Sequence, residues 1–365
     1  MTDSDGIEKL IRPHLAGFTG YSAATSPDTL EGKVNVPVED IIKMDANENP
    51  YGCSPRVGRA LAESHNLNIY PDDGQQGLRK LLAAYAGADA ERIVAGHGSN
   101  TLIDLVVRLF VGPGDEVIVN VPTFDLYRFS TEICGGTVVN VNRDEDFAVS
   151  VKGIKSAISP RTKLIFLATP NNPTGNIVPR GDVLDIINTG VPVVIDEAYY
   201  EFSGVTVVPL VSRYKNLMVL RSFSKWAGLA GLRVGYGVFP PKIAAYLMAI
   251  KTPYFVSMAG EIAVRESLAD IDYLRGRVDA IIKERARLLA ELQTISWLKV
   301  YPSQANFIYC AVLKGSAGEL HQQLQKNGIL VRYFNKPLLQ NSIRVSVGKP
   351  EHTDVLVKTL RALKP

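Results

Sequence analysis

Short apolar runs alternate with amphipathic stretches through the middle of the chain. The stretch NTLIDLVVRLF, for example, places Leu102, Val106, Leu109 and Phe110 on one face of a helix. The apolar runs are rich in β-branched residues and bounded by Gly, Pro or Asn, which is typical of buried strands; they occupy 116–121, 137–142, 163–169, 191–198, 217–223 and 234–239. Strands that alternate with helices predict an α/β fold with a mostly parallel central sheet flanked by helices.

The pattern changes towards the C-terminus. A long charged amphipathic helix is predicted at about 274–292, and three strand-like stretches and a final helix follow it, which predicts a smaller α+β domain. We therefore expect a large domain at 46–265 and a small domain at 266–365. The segment 1–45 is expected to pack on the small domain or on a partner subunit.

Composition and charge narrow the class of protein. The chain has 365 residues, of which 46% are hydrophobic and 21% charged, as in ordinary soluble enzymes. The formal net charge is +3, from 40 basic and 37 acidic residues, so nothing favours a nucleic acid partner. No apolar run approaches the roughly 20 residues that span a membrane, and the polar, acidic start is unlike a secretory signal. We expect neither a nucleic acid nor a membrane partner.

Cysteine and histidine usage bears on compartment and metal binding. The three cysteines lie far apart, which does not suit a disulfide framework or a zinc site and favours a reducing cytoplasm. The five histidines are scattered without the spacing of metal ligands. No metal site is predicted.

The stretch IVAGHGSNTLID ends a predicted strand and begins a helix. Ligands of open α/β sheets bind at such strand ends. Gly96 and Gly98 allow the backbone to approach a ligand closely, and Ser99 is a suitable N-cap. The free N–H groups of a helix N-terminus bind phosphate. An ordinary capped helix with turn glycines explains this stretch equally well.

Two further strand ends carry polar residues that a core would not favour. Asn172 lies in ATPNNPTGN and can donate a hydrogen bond to a phenolate oxygen. Asp196 and Glu197 end the apolar strand VPVVIDEA, where a carboxylate is costly unless it is paired. A positively charged heterocyclic nitrogen would pair such an acid, and Tyr199 offers a hydroxyl nearby. A metal-binding or structural acid is the alternative.

The stretch RSFSKWAGLAGLRVG carries one lysine between serines and small residues. Ser222, Ser224 and Arg233 suit a phosphate, Arg233 through a bidentate fork. Lys225 lies between them, where nearby cations and exclusion of water would lower its pKa and make it nucleophilic. Phosphate donors, a buried acid, a phenolate donor and a nucleophilic lysine together predict pyridoxal 5′-phosphate as the cofactor.

Several motifs occur in one order along the chain: DANENPYG, YPDDGQQGLRKLLA, PTFDLY, PNNPTG, DEAY, SFSKWAGLAGLRVGY and IRVSVG. In this order they resemble the fold-type I aminotransferases, and most closely the histidinol-phosphate aminotransferase branch. The resemblance extends from about residue 40 to the C-terminus. It implies a homodimer with shared active sites, in which Tyr51 of NENPYG reaches the cofactor phosphate of the neighbouring subunit.

The resemblance also implies roles for the cofactor-binding residues. Lys225 would hold the cofactor as a Schiff base and move the proton, and Asp196 would keep the ring nitrogen protonated. Asn172 and Tyr199 would bind the ring oxygen. Phe124 of PTFDLY would stack on the ring, although a core phenylalanine is the alternative. The residues expected to hold the phosphate are Gly98, Ser99, Asn100, Ser222 and Arg233.

For the substrate, the resemblance implies that Arg344 receives a carboxylate and that Arg332 contacts a phosphate. Asn172 is expected to contact the substrate as well. The branch carries PYxPG near the N-terminus, whereas this chain has RPHLAG with His14 in place of the tyrosine. His14 could itself meet the phosphate, and Phe18 and Tyr21 are close enough in sequence to substitute.

The implied activity is transamination between histidinol phosphate and 2-oxoglutarate, which gives imidazole acetol phosphate and glutamate in histidine biosynthesis. Within enzymes, an aromatic amino-acid aminotransferase is the alternative, and a decarboxylase of a phosphorylated amino acid is a third. A non-catalytic cofactor-binding regulator is disfavoured because the lysine, acid and arginines are all present. A nicotinamide dehydrogenase would need a GxGxxG after the first strand, and the sequence has none.

Overall fold

The structure is a computed structural model, and it describes residues 6–20 and 34–363. Within these ranges the strands, in chain order, are β1 (Ile42–Met44), β2 (Ile93–Gly96), β3 (Glu116–Val121), β4 (Thr137–Asn142), β5 (Thr162–Ala168), β6 (Val193–Asp196), β7 (Leu217–Ser222), β8 (Gly235–Val238), β9 (Leu298–Val300), β10 (Phe307–Val312), β11 (Ile329–Phe334) and β12 (Ser342–Ser346). They form one sheet of seven strands and one of five.

The seven-stranded sheet has the order β2-β8-β7-β6-β5-β3-β4. Strands β3 to β7 pair in parallel, and β8 runs antiparallel to both β2 and β7. The predicted α/β class with a mostly parallel sheet is therefore confirmed. The expectation that 137–142 forms a buried strand is wrong as to burial: β4 forms at the edge of the sheet, and Val141 is its one buried residue.

Helices cover both faces of this sheet because its central strands are apolar on both faces. Along β5, Ile165 and Leu167 belong to one core cluster, whereas Leu164 and Phe166 belong to the other. The α-helices of the described residues are α1 (Pro55–Ala62), α2 (Gln76–Ala86), α3 (Ser99–Phe110), α4 (Leu126–Ile133), α5 (Val151–Ala157), α6 (Arg180–Ile187), α7 (Tyr200–Ser203), α8 (Pro241–Ile250), α9 (Met258–Ala269), α10 (Ile271–Gln293), α11 (Ala317–Lys326) and α12 (Pro350–Ala362). None of the helices in this part of the chain is both long and apolar enough to cross a membrane.

The five-stranded sheet has the order β1-β11-β12-β10-β9. Its strands come from the C-terminal part of the chain except for β1, which pairs in parallel with β11. The backbone N–H of Asn35 also donates to the carbonyl of Lys326 in α11 at 2.9 Å. The segment before the seven-stranded sheet therefore belongs structurally, at 34–44, with the C-terminal sheet.

The first described segment packs elsewhere. Phe18 contacts Phe129 of α4 with 5.4 Å between ring centroids, so this segment lies against the unit of the seven-stranded sheet. Tyr21 lies outside the described residues. The predicted boundary between residues 265 and 266 falls inside α9, and the division into domains stays a prediction.

Candidate active site

A cavity of about 440 Å³ lies where the two sheets meet, a size common among small-molecule sites. Ends of β6 and β7 and the start of α3 contribute to one side, which we call the inner wall and which carries Ser99, Asn172, Asp196, Lys225 and Arg233. Strands β11 and β12 and the turn between them contribute the other side, the outer wall, which carries Arg332, Phe334, Lys336 and Arg344.

The cavity brings together residues that are far apart in sequence. The candidate site residues that line it are Ser99, Asn100, Phe124, Asn172, Asp196, Tyr199, Ser222, Lys225, Arg233, Arg332 and Arg344. Gly98 lies directly behind this lining, since a Cβ on Gly98 would stand 2.6 Å from the guanidinium of Arg233. Tyr51 and His14 are not part of the lining.

Lys225 follows β7 and extends into the inner wall. Its Nζ donates a hydrogen bond to the carbonyl of Ala46 at 2.8 Å. Burial lowers the pKa of Lys225 to about 7, and the positive charges of Arg344 and Arg233 act in the same direction. A large fraction of the amine is therefore neutral near pH 7, as a nucleophile or a general base requires.

Asp196 ends β6 at the bottom of the cavity. Its Oδ1 accepts from the backbone N–H of Ala198 at 3.0 Å, and its Oδ2 accepts from the hydroxyl of Tyr127 at 2.8 Å. Burial raises the pKa of Asp196 to about 6. Glu197 points to the opposite side, where it pairs with Arg221 at 3.0 Å. Among the described residues no cation contacts Asp196. A ligand that carries a positive charge could therefore form an ion pair with this buried acid.

Asn172 joins the inner wall to the outer wall. Its Oδ1 accepts from the guanidinium of Arg344 at 2.6 Å, and Arg344 also donates to the carbonyl of Asp45 at 2.6 Å. Arginine only donates, so the atom of Asn172 that faces it is the carbonyl oxygen. The NH₂ group of Asn172 is left as a donor, which suits the phenolate contact that the sequence predicts.

A second group of donors surrounds the start of α3. Gly98, rather than Ser99, is the N-cap of this helix, so the predicted N-cap is displaced by one residue. Gly98 has φ of 82°, which only glycine adopts readily. The guanidinium of Arg233 lies 3.3 Å from the Ser224 hydroxyl, and the Ser222 hydroxyl accepts from the Ser224 N–H at 3.1 Å. Hydroxyls, a guanidinium and a helix N-terminus form an anion site.

Sequence reasoning missed Tyr127 and Asn47. Tyr127 lies in α4, three positions after Phe124, and both residues line the cavity. In the sequence Tyr127 looks like an ordinary core aromatic. Asn47 donates to the hydroxyl of Tyr199 at 2.9 Å and is itself held by Ser346. No sequence pattern predicts these contacts. Asn47 lies after β1, whereas its partners are Tyr199 after β6 and Ser346 in β12, which are far apart in the sequence.

The structure places Tyr51 and His14 away from the cavity lining of their own chain. Tyr51 packs against Arg277, whose guanidinium carbon lies 5.1 Å from the centre of the tyrosine ring. His14 is exposed, and its Nε2 lies 3.2 Å from the carbonyl of Ile133. Within the described residues, no group of three potential metal ligands is found.

Comparison with known proteins agrees with this geometry. The family model "Aminotransferase class I and II" matches residues 39–360. A histidinol-phosphate aminotransferase of Dehalococcoides mccartyi is 53% identical over 97% of this chain and 98% of its own. Histidinol-phosphate aminotransferase 1, chloroplastic, of Arabidopsis thaliana is 44% identical over 97% of this chain and 86% of its own. The chain belongs to the class I and II aminotransferases.

Among solved structures, the histidinol-phosphate aminotransferase of Sinorhizobium meliloti in complex with pyridoxal 5′-phosphate is similar to this chain. The TM-score is 0.87 at 26% identity, over 96% of this chain and 98% of the other. The residues of this chain fit such a cofactor: the anion site would hold a phosphate, Asp196 contacts no cation among the described residues, and Lys225 offers an amine of lowered pKa. Pyridoxal phosphate is the cofactor of this aminotransferase.

Proposed function

We propose that this protein transfers the amino group of histidinol phosphate to 2-oxoglutarate, giving imidazole acetol phosphate and glutamate. The identity of 53% to a histidinol-phosphate aminotransferase along nearly the whole chain carries the proposal. When bound, pyridoxal phosphate supplies an aldehyde that condenses with amines and a ring that accepts electrons from the substrate carbon.

The residues of the inner wall divide the work. Lys225 would attach the cofactor, and its amine, when free, would take the proton from the substrate carbon. Asp196 holds the positive ring nitrogen, and the NH₂ group of Asn172 and the hydroxyl of Tyr199 bind the ring oxygen. The anion site around Gly98 and Arg233 holds the cofactor phosphate. Phe124, which lines the cavity, would cover one face of the ring.

The outer wall supports an anionic substrate. Arg332 and Arg344 stand directly opposite each other on neighbouring strands, and both line the cavity. Like charges at opposed positions destabilise a sheet, and an anion between or beside the two guanidiniums would offset that cost. Glutamate brings two carboxylates and histidinol phosphate brings a phosphate dianion. One two-arginine wall therefore serves both halves of the reaction.

Steady-state kinetics with 2-oxoglutarate as acceptor test the proposal. We expect kcat/KM for histidinol phosphate to exceed that for phenylalanine or tyrosine by at least about a hundredfold, roughly 2.7 kcal/mol of transition-state preference. Histidinol without the phosphate is the matched control and should lose most of this advantage. Faster turnover of the aromatic donors would instead identify an aromatic amino-acid aminotransferase, and release of carbon dioxide from a phosphorylated amino acid would identify a decarboxylase.

The proposal includes a homodimer with shared sites. Tyr70 and Tyr254 stack with 4.1 Å between centroids, although Tyr70 is 74% exposed. Asp73 fixes this stack by accepting from Lys251 at 2.6 Å and from the Tyr254 N–H at 2.7 Å. Further exposed apolar side chains accompany the pair in sequence, namely Leu67, Ile69, Tyr246 and Ile250. An ordered apolar surface of this kind is typical of a protein interface, and the occupant we propose is a second copy of the chain.

Hybrid dimers test the sharing of sites. Co-expression of a Tyr51→Phe chain with a Lys225→Ala chain produces dimers in which one site has the partner's intact tyrosine and its own intact lysine. We expect activity well above the sum of the two single-variant proteins. A fully active monomer in sedimentation, or hybrids no better than their parents, would contradict the proposal.

We also propose that the protein works in the cytoplasm. Cys53, Cys134 and Cys310 are free thiols in the structure, which suits a reducing compartment. Fractionation of the source cells with an antibody against the chain would test this, and recovery from an oxidising compartment would contradict it.

A further inference from the structure

Asp196 depends on a single side-chain donor. Each of its oxygens accepts one bond from the described residues, Oδ1 from a backbone N–H and Oδ2 from the hydroxyl of Tyr127. Glu197, one residue on, has in contrast a buried guanidinium, a threonine hydroxyl and a backbone N–H as partners. Glu197 thus has a cation as a partner, whereas the charge of Asp196 is stabilised by one neutral side chain, the hydroxyl of Tyr127 in the cavity lining.

The position of this hydroxyl is tightly fixed. Tyr127 has 0% exposure, and its ring stacks on Phe166 of β5 with 4.7 Å between centroids and 8° between planes. The ring of Phe124 meets it edge-on at 5.8 Å and 86°. The ring cannot move without opening the core, so the O–H group stays directed at Oδ2 of Asp196. Tyr127 also joins the ring-stacking residue Phe124 to the acid beneath it.

The proton of this bond belongs to the tyrosine. Burial and the nearby negative charge of Asp196 raise the pKa of Tyr127 well above its usual value of 10, so the phenol remains a donor. The positive charge of the buried Arg143, whose guanidinium binds the carbonyls of Asn120 and Phe147 at 3.2 and 3.0 Å, acts in the opposite direction but does not cancel this rise. A hydroxyl that donates to a carboxylate stabilises its ionised form more than its protonated form.

We propose that Tyr127 is a positioning residue that decides where the proton of the Asp196–cofactor pair resides. By stabilising the carboxylate of Asp196, its hydroxyl keeps that proton on the ring nitrogen rather than on Oδ2. Without the hydroxyl the carboxylate becomes more basic, the proton moves from nitrogen to oxygen, and the ring becomes a poorer electron acceptor. The inference rests on the proposed function, because it takes Asp196 as the partner of the ring nitrogen.

The Tyr127→Phe variant tests this, because it keeps the packed ring and removes only the hydroxyl. We expect kcat to fall about tenfold, as for a lost hydrogen bond to a charged group. A positive ring nitrogen favours deprotonation of the lysine–cofactor linkage. The pH midpoint of the bound cofactor's absorption change should therefore rise by about one pH unit.

Two further proteins separate this role from a loss of packing. Tyr236→Phe removes a similarly buried tyrosine hydroxyl on β8, one that accepts from Arg221 at 3.4 Å, and should lower the melting temperature without moving the absorption midpoint. In an Asp196→Ala background, Tyr127→Phe should have no further effect on the midpoint, because Tyr127 acts through that carboxylate.

The outcomes are distinct. An unchanged midpoint and kcat in Tyr127→Phe overturn the inference and leave the proposed function intact. A shift of the same size in the Asp196→Ala background also overturns it, since Tyr127 would then act by another route. A wild-type protein that takes up no pyridoxal phosphate overturns the cofactor assignment, and the inference with it.

Discussion

The two walls of the cavity differ in how their charges are held. On the inner wall, Asp196 is buried and Lys225 is partly buried, and each is held by short hydrogen bonds to neighbouring backbone or to Tyr127. On the outer wall, Arg344 is likewise buried and held by Asn172 and the Asp45 carbonyl, whereas Lys336 is half exposed and Arg332 is partly buried in the middle of β11. The inner wall is therefore preorganised for one permanent occupant, whereas Arg332 and Lys336 of the outer wall suit substrates that enter and leave.

The largest effect should come from the inner wall. Lys225→Ala removes both the attachment point and the proton acceptor, so we expect transamination to fall by at least about 10⁴-fold. Lys215→Ala, at an exposed lysine, is the control and should keep full activity. In the wild type, reduction with borohydride should fix the cofactor to the peptide that contains Lys225. Because the pKa of Lys225 is lowered to about 7, attachment of the cofactor to apoprotein should accelerate as pH rises through 7. Label on another lysine would contradict the assignment.

A smaller effect is expected at the outer wall. Arg332→Ala should lower kcat/KM for histidinol phosphate about a hundredfold and affect phenylalanine much less, because phenylalanine brings no phosphate. Arg332→Lys keeps the charge without the planar fork and should fall between the two. Equal losses for both substrates would show that Arg332 supports the fold of β11 rather than the phosphate.

The sequence predicts the inner wall better than the outer wall for a physical reason. A carboxylate at the end of an apolar strand, or a lysine among small residues, is costly unless it has a function, so Asp196 and Lys225 stand out in the sequence. Tyr127, in contrast, is indistinguishable from a core aromatic until α4 is placed against β5. The opposition of Arg332 and Arg344 follows from strand register, which no local pattern specifies.

The next prediction concerns the buried carboxyl group of Glu201 and the stability of the apoprotein. Burial raises the pKa of Glu201 to about 7, and its Oε1 accepts from the Tyr85 hydroxyl at 3.0 Å. The folded state therefore retains a proton that the unfolded chain releases near pH 4.5, so stability is lost as pH rises towards 7. Glu201→Gln cannot ionise. We expect it to raise the melting temperature of the apoprotein by about 2–4 °C at pH 8 and to change it little at pH 4.

The exposed Glu63 provides the control for this measurement. Glu63→Gln should leave the melting temperature unchanged at both pH values, because the Glu63 side chain is exposed in the folded structure. If Glu201→Gln destabilised the protein equally at pH 4 and pH 8, the ionised form of Glu201 would be an essential partner of the network around Arg221.

The smallest effect concerns a second contact across the cavity, between two residues of its lining. Lys336 of the outer wall forms an ion pair with Asp125, which lies at the start of α4, and the side chains are 51% and 38% exposed. Exposed pairs of this kind contribute less than about 1 kcal/mol. Lys336 nevertheless adds a third positive charge beside Arg332 and Arg344. A substrate phosphate in the cavity can therefore replace Asp125 as the partner of Lys336.

Lys336→Met should therefore raise KM for histidinol phosphate about three- to fivefold at low salt, and the difference should shrink as ionic strength rises. Asp125→Asn should leave KM unchanged or lower it, because it releases Lys336 for the substrate. The exposed Lys314 gives the matched control, since Lys314→Met removes the same charge away from the cavity. If Lys336→Met and Asp125→Asn raised KM equally, the ion pair itself would be what matters for substrate binding. The outer wall would then be as preorganised as the inner one.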